Sequence, residues 1–593
     1  MITIDRALTK QLIWAGLLWI LIQLPFAAGA FRIDDPYHLK AAEHLRTSPG
    51  DPYGFYINWN GTPEWAFRTY ASPPLLPAWL ALWSTVFPLN EISLHLAMLP
   101  FSAAALLGLG LLARSYKVDC RIAMALLACS PAFFLTSQVL MPDIVMLCLF
   151  LLAVAGARLY QSNGRASALA VACIAAFCCP LAKYNGVVVV PVLMCLALVR
   201  ERRVGIIGVV MAPVLSLVLW GSFTWAKYGA VHFLAMSAYQ RNPAMSTHPA
   251  VITVGILAAT GIGVLPLSLL RFLSRSQNRT PFLREALGLT LVCSVWFAVK
   301  IDYGVASVLL FALSVTLSVY IIGLAIVIGW QSLRRFEWNL MPLVAWILAG
   351  IAFQYGLMFT ATRYLLFLAP PVILLVLKLS APVPRQAALV VALAANLFFT
   401  VLLAVADLEA ASVYRNTVRG EIRSRLENEK GRFYFVGHWG FQYYAEKIGG
   451  AVIDKLNPPI LSPGDLVVIA TTPWPERLDP PIVPGLDVEA TTLAVKSFWP
   501  VRTLSCAAGV NFYGNAISGC VRPTFLPFGL SSQPLETFLV YRMREKHLDS
   551  QAWVPKSKGR LVGMRTKSRS ELFGLPGLVL LERDRMQGKE ELQ

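Results

Sequence analysis

Charge is scarce in this chain. Only 14% of its 593 residues are Asp, Glu, Lys or Arg, against roughly 25% in soluble globular proteins, so an ordinary water-soluble enzyme is excluded. Acids are rarer than bases, 33 against 51. No GxxxxGK[ST] phosphate loop, HExxH zinc motif, GxSxG nucleophile elbow or paired CxxC occurs, which removes sequence support for nucleotide hydrolysis, zinc proteolysis and serine hydrolysis. The formal charge of +18 does not mark a nucleic-acid partner, because the bases stand in short clusters between apolar runs rather than along a soluble face.

What the chain has instead is apolar sequence: 56% hydrophobic residues and a mean hydropathy of +0.60. Runs of the roughly 20 residues needed to cross a bilayer core of about 30 Å read at 12–30, 91–113, 122–138, 143–157, 166–181, 185–199, 204–225, 250–270, 285–300, 304–330, 339–359, 363–379 and 386–406, about thirteen helices. The expected architecture is a polytopic α-helical membrane domain over 1–406 and a small soluble α/β domain over 407–593. Every second connection is basic, as with Arg114, Lys117 and Arg121, or Arg200, Arg202 and Arg203. The positive-inside rule makes those connections cytoplasmic. The expected location is therefore the bacterial inner membrane, with the N-terminus cytoplasmic and the 31–90 loop and C-terminal domain periplasmic.

In the first loop, 34–46 reads as a helix with Leu39, Ala42 and Leu45 on one side, and 75–87 as a second, both fit to lie in the interface plane. Between them Tyr53, Phe55, Tyr56, Trp59, Trp65, Phe67 and Tyr70 read as an aromatic belt at headgroup depth. A second loop, 226–250, carries His232, Tyr239, Gln240, Arg241 and His248; it is either a cover over a site or a plain connector, the second being the reading residue by residue. In the C-terminal part, 432–436 and 465–471 read as strands and 439–447 as a short helix. Eight cysteines lie in or beside apolar spans as small hydrophobes. Cys506 and Cys520 are the pair able to close a disulfide in an oxidising compartment, a question spacing leaves open. The basic stretch 542–569 reads as a solvated tail.

The residues left for chemistry are acids, bases and aromatics at the outer ends of helices. Asp34 and Asp35 open the first loop, and Asp34 is the expected general base, with Asp35 beside it as a like charge. Asp143 follows Pro142 at the outer start of a helix. Both acids also suit a helix N-terminus electrostatically. Lys183 sits in an outer turn between apolar stretches, and Arg363, before Tyr364, offers a planar fork to a phosphate. Lys300, Asp302 and Tyr303 are weaker candidates at another turn. Outside the cell membrane an activated sugar has to be delivered by the bilayer itself, as a polyprenyl phosphate; its displacement needs a base for the acceptor hydroxyl and cations for the departing phosphate.

Five segments in this order resemble glycosyltransferase family 39, the group with the GT-C membrane fold that includes lipid A aminoarabinose transferases and protein O-mannosyltransferases. They are Asp34-Asp35-Pro36-Tyr37, Tyr70-Ala71-Ser72-Pro73-Pro74-Leu75, Leu140-Met141-Pro142-Asp143, Leu181-Ala182-Lys183-Tyr184, and Arg363-Tyr364-Leu365-Leu366 followed by Pro370-Pro371. The likeness covers roughly residues 1–406. Ser72 stands where some members have Lys or His, and Asp35 where the family has Glu. The resemblance implies inverting transfer of a single sugar from a polyprenyl-phosphate donor to a lipid, glycan or protein acceptor. It implies Asp34, Asp35 and Asp143 as catalytic acids, Lys183, Arg363 and Tyr364 at the donor phosphate, and no cofactor or catalytic metal. A flippase for lipid-linked sugars, or a polymerase or ligase with a diphosphate-linked donor, are the alternatives.

Overall fold

The computed structural model describes residues 6–198, 202–241, 247–266, 268–269, 281–335, 338–379, 386–428, 431–473, 486–514 and 523–545. They form a mostly helical membrane protein with a small strand-containing C-terminal domain. Among the described residues seven helices are long and apolar enough to cross a membrane: Thr9–Phe26, Glu91–Ser115, Pro142–Asn163, Arg203–Tyr228, Val305–Arg335, Thr362–Leu379 and Gln386–Glu427. Five shorter apolar helices accompany them: Ala166–Ala182, Tyr184–Ala197, Pro249–Val264, Leu287–Lys300 and Met341–Gln354.

One expected span is broken. The run 122–138 folds as two short helices, Cys120–Ala128 and Pro131–Thr136, because Pro131 has no amide to give a preceding turn. Extended Ser130 directs its hydroxyl to the Val264 carbonyl instead. The last apolar helix, Gln386–Thr417, runs beyond the apolar stretch. Asp143 stands in the first turn of Pro142–Asn163, and that helix ends at Gly164, whose φ of 72° places it in the left-handed region. There Arg202 donates to the Gln161 carbonyl, so acid and basic connection lie at opposite ends of one helix.

The first loop is a packed unit. Its helix Asp35–Thr47 buries Leu39, Ala42 and Leu45, the side read from the sequence. The aromatics do not form a headgroup belt. Tyr53, Phe55, Phe67 and Tyr70 are buried with Tyr37 in a cluster of their own, and among the seven only Tyr56 is exposed. Their rings bury one another: Tyr37 and Tyr70 lie 4.7 Å apart, and Tyr53 stacks on His232 at 4.1 Å.

In the C-terminal domain a five-stranded sheet has the order Ala451–Val452, Phe433–Val436, Leu466–Ala470, Glu536–Glu545, Leu486–Val495. The first three strands are parallel, while Glu536–Glu545 runs antiparallel to both neighbours. Phe433–Val436 and Leu466–Ala470 are buried at every position, as continuous apolar strands covered on two faces are. Cys506 is disulfide-bonded; Cys520, like the basic stretch beyond residue 545, lies outside the described residues.

This domain docks on the first loop. Asn58 Nδ2 donates to the Ile453 carbonyl at 3.2 Å, and the Lys455 amide to the Gly61 carbonyl at 3.0 Å. Tyr303 fastens it to the helices, its hydroxyl donating to the Pro523 carbonyl at 2.5 Å. At the centre, buried Arg32 pairs with buried Asp407. Asp407 also accepts from the Thr503 hydroxyl at 2.9 Å and the Tyr513 hydroxyl at 2.7 Å. One carboxylate thus ties the first loop, the last long helix and the C-terminal domain together.

Candidate active site

At the junction of these parts lies a cavity of about 1000 Å³, lined by Asp34, Asp143, Lys183, Arg363 and Tyr364. Residues more than 300 positions apart in sequence therefore meet, each carried by the start of a helix or the turn before one.

Asp34 occupies the N-cap position of Asp35–Thr47 without a side-chain capping bond. Its carboxylate turns to Arg363, whose Nη2 donates to Oδ2 at 2.8 Å, and it keeps 30% exposure. The helix N-terminus therefore does not account for this acid. Ile33 precedes it with φ of 46°, a strained conformation for a β-branched residue, and Ile33 itself lines the cavity.

Asp35 has another task. It is fully buried and absent from the cavity wall. Its Oδ1 accepts the Leu140 amide at 2.8 Å and its Oδ2 the Arg32 amide at 3.0 Å. The carboxylate latches the start of the first loop to the segment leading into Asp143.

Asp143 is 1% exposed. Lys183 Nζ reaches its Oδ1 at 2.5 Å, while Oδ2 has no hydrogen-bond partner. The Tyr364 ring serves both cations: Lys183 Nζ lies 3.8 Å and Arg363 Cζ 5.0 Å from its centroid, distances at which the ring face attracts a cation. Arg363 is steadied further by the Met141 sulfur, and Tyr364 stacks on Phe359 at 5.7 Å. The result is two acids and two bases in two ion pairs around one space.

Lys183 lies in the turn between Ala166–Ala182 and Tyr184–Ala197, outside both helices. Burial pushes its ammonium down to about 8, with Arg363 acting in the same sense and Asp143 opposing. Burial likewise takes the His38 imidazole down to about 4, so at neutral pH this ring is uncharged; its Nδ1 shares a hydrogen bond with the Tyr70 hydroxyl at 2.5 Å. Among the described residues no group of three or more His, Cys, Asp or Glu is placed to hold a metal ion.

Other wall residues were not anticipated from sequence. They include His38, Glu64, Asn185, Trp439, Asn511 and Tyr513; the last three come from the C-terminal domain. The loop read as a connector is also part of the wall: it forms the helix His232–Gln240, Tyr239 and Gln240 line the cavity, and Gln240 Oε1 accepts the Met358 amide at 3.0 Å. Lys300, Asp302 and Tyr303 lie away from it. The signals were weak, since each of these residues is an ordinary turn or interface residue until the packing is known.

No protein-family model and no curated protein matches the chain. Among solved structures it is similar to the oligosaccharyltransferase of Archaeoglobus fulgidus in its apo form, with 14% identity and a TM-score of 0.43 over 74% of this chain and 63% of that one. The chain thus spans less than two thirds of the archaeal protein's length. It is also similar to ArnT from Cupriavidus metallidurans, both bound to undecaprenyl phosphate (14% identity, TM-score 0.37, 79% of this chain and 94% of that one) and in the apo state (14%, 0.38, 78% and 93%). Likenesses this distant carry no activity across, and the chemistry rests on the residues themselves.

Proposed function

We propose that the protein is a membrane glycosyltransferase of the GT-C type that moves one sugar from a polyprenyl-phosphate donor to an acceptor hydroxyl on the periplasmic face, with inversion. The observation that carries this reading is the pairing of Asp34 with Arg363 and Asp143 with Lys183 around a single cavity.

Asp34, the more exposed acid, takes the proton of the acceptor hydroxyl. The hydroxyl oxygen forms the new bond to the anomeric carbon as the bond from that carbon to the phosphate oxygen breaks, and the phosphate leaves with the electron pair. A phosphodiester with one negative charge becomes a monoester with two. Lys183 and Arg363, both largely buried, meet that added charge as fixed cations already in place. The proton held by Asp34 then passes to the released phosphate or to water. Attack opposite the leaving group inverts the anomeric centre. Asp143 orients Lys183 and the sugar, and Asp35 positions Asp34 through the backbone.

The test is incubation of the purified full chain, in lipid, with a panel of radiolabelled polyprenyl-phosphate sugars and a membrane extract. Glycoside and sugar-free polyprenyl phosphate are expected in equal amounts, and neither with Asp34→Asn. Transbilayer movement of an unchanged sugar lipid, with no glycoside formed, would replace this reading by the carrier one.

A further inference from the structure

Asn185 lies two residues beyond Lys183, in the single 3-10 turn Tyr184–Val188. It is 3% exposed, lines the cavity, and neither its Oδ1 nor its Nδ2 has a hydrogen-bond partner. Asp143 Oδ2, on the wall of the same cavity, is also without one. A buried amide donor and a buried carboxylate acceptor are thus left open in one space without bonding each other. Buried polar atoms are ordinarily paired, and each unpaired one costs about 1–3 kcal/mol. Two on one wall are best explained by a ligand that completes them.

The donor set defines that ligand. Asp143 is already neutralised by Lys183 through Oδ1, so Oδ2 offers an acceptor without surplus charge. Asn185 offers N–H groups and a carbonyl. A hydroxyl can donate to Asp143 and accept from Asn185 at once. An ammonium could donate to the Asn185 carbonyl, but it finds no surplus negative charge on the Asp143–Lys183 pair to offset its own desolvation, and a deoxy carbon can satisfy neither group.

We propose that Asp143 Oδ2 and Asn185 form a hydroxyl-reading pair that selects a neutral, fully hydroxylated donor sugar over its deoxy or amino analogue at one ring position. This rests on the glycosyltransferase reading and names the substrate class of the same site. Asn185 is the specificity-determining residue, and Lys183 sets the distance from the phosphate.

The experiment measures binding and turnover separately, with the full-length protein in lipid nanodiscs. The probes are polyprenyl phosphates carrying a neutral hexose, its mono-deoxy and mono-amino analogues, and the sugar-free lipid, each competing with labelled polyprenyl phosphate. The wild-type protein is expected to bind the hexose lipid at least about tenfold tighter than the analogue altered at the read position, the loss expected when a buried polar pair is left unmatched. Asn185→Leu is expected to shrink that gap to about twofold or less, to leave the sugar-free lipid's affinity unchanged, and to keep or raise the melting temperature by removing unpaired buried atoms. Asn185→Asp, which exchanges the amide donor for a second acid, is expected to move preference towards the amino analogue.

Equal binding of all analogues by the wild-type protein, or an unchanged gap in Asn185→Leu, overturns the inference. So does a fall in melting temperature with selectivity intact, which marks Asn185 as structural or water-filled. Selective binding with no transfer of any sugar would leave the hydroxyl-reading pair standing and remove the transferase reading; transfer without selectivity would do the reverse.

Discussion

Arg363 Nη2 donates to Asp34 Oδ2 at 2.8 Å across 329 residues of sequence. The start of a late helix thereby aims the acid of the first loop into the cavity. A carboxylate held by one donor on one oxygen leaves its other oxygen able to take a proton, as the proposed base role requires.

Two adjacent acids are expected to fail differently. Asp34→Asn should lower turnover by about 10²- to 10⁴-fold, the range for loss of a general base, with the melting temperature near that of the wild type. Asp35→Asn should instead destabilise the fold by about 1–3 kcal/mol, because one buried oxygen that accepts a backbone amide is replaced by a donor. Thermal unfolding and turnover, measured on both variants, separate the two roles.

The pH response of Lys183 has two arms of opposite sign. Its ammonium is lost as pH rises through about 8, so affinity for polyprenyl phosphate should fall above that pH. Between about 8 and the ordinary lysine value of 10.5 the unfolded chain binds more protons than the folded one, so this group makes stability rise with pH in the same window. Lys183→Arg, whose guanidinium stays charged, should remove the alkaline loss of affinity. An alkaline limb unchanged in Lys183→Arg would place the titrating group elsewhere.

Breaking the buried pair of Arg32 and Asp407 should be costly. Asp407→Ala leaves Arg32 uncompensated and also strips Thr503 and Tyr513 of their acceptor; a loss of about 3–5 kcal/mol is expected. Replacing both partners, as Arg32→Met with Asp407→Leu, should recover a large part of it, because no charge then remains buried. Limited proteolysis of the C-terminal domain reads out the docking.

Gly440 tests how finely the first loop is placed. A Cβ there would overlap the Phe31 carbonyl oxygen, and backbone cannot swing aside as a flexible side chain does. Gly440→Ala should push Trp439–Lys447 off the segment that carries Ile33 and Asp34. Displacing a catalytic group by about 1 Å costs on the order of 100-fold in rate. The expected result is lost turnover with little change in donor affinity, measured by competition with labelled polyprenyl phosphate.

The membrane character, the helix Asp35–Thr47, and the strands and helix beginning the C-terminal domain were legible in the sequence, because each is marked locally by a continuous apolar run or by a helical spacing of apolar residues. The two ion pairs were foreseeable as acids and bases at helix ends, but their pairing was not, since it depends on which helices pack together. Asp407 was missed because a single acid at the end of an apolar run looks like a boundary; Arg32 at the end of another was the available clue. Asn185 and His38 are uncharged and leave no trace in a charge pattern. The strands Leu486–Val495 and Glu536–Glu545 escaped for a different reason: Leu486–Val495 is an edge strand with many exposed positions, and its partner arrives only some forty residues later.

The bond between Arg32 and Asp407 also sets an order of assembly. A ribosome delivers Arg32 long before its counter-ion, and the wall residues Asn511 and Tyr513 later still. A nascent chain therefore carries an unmatched cation and an unfinished chamber through most of its synthesis, and the cavity wall closes only when translation has reached the far domain.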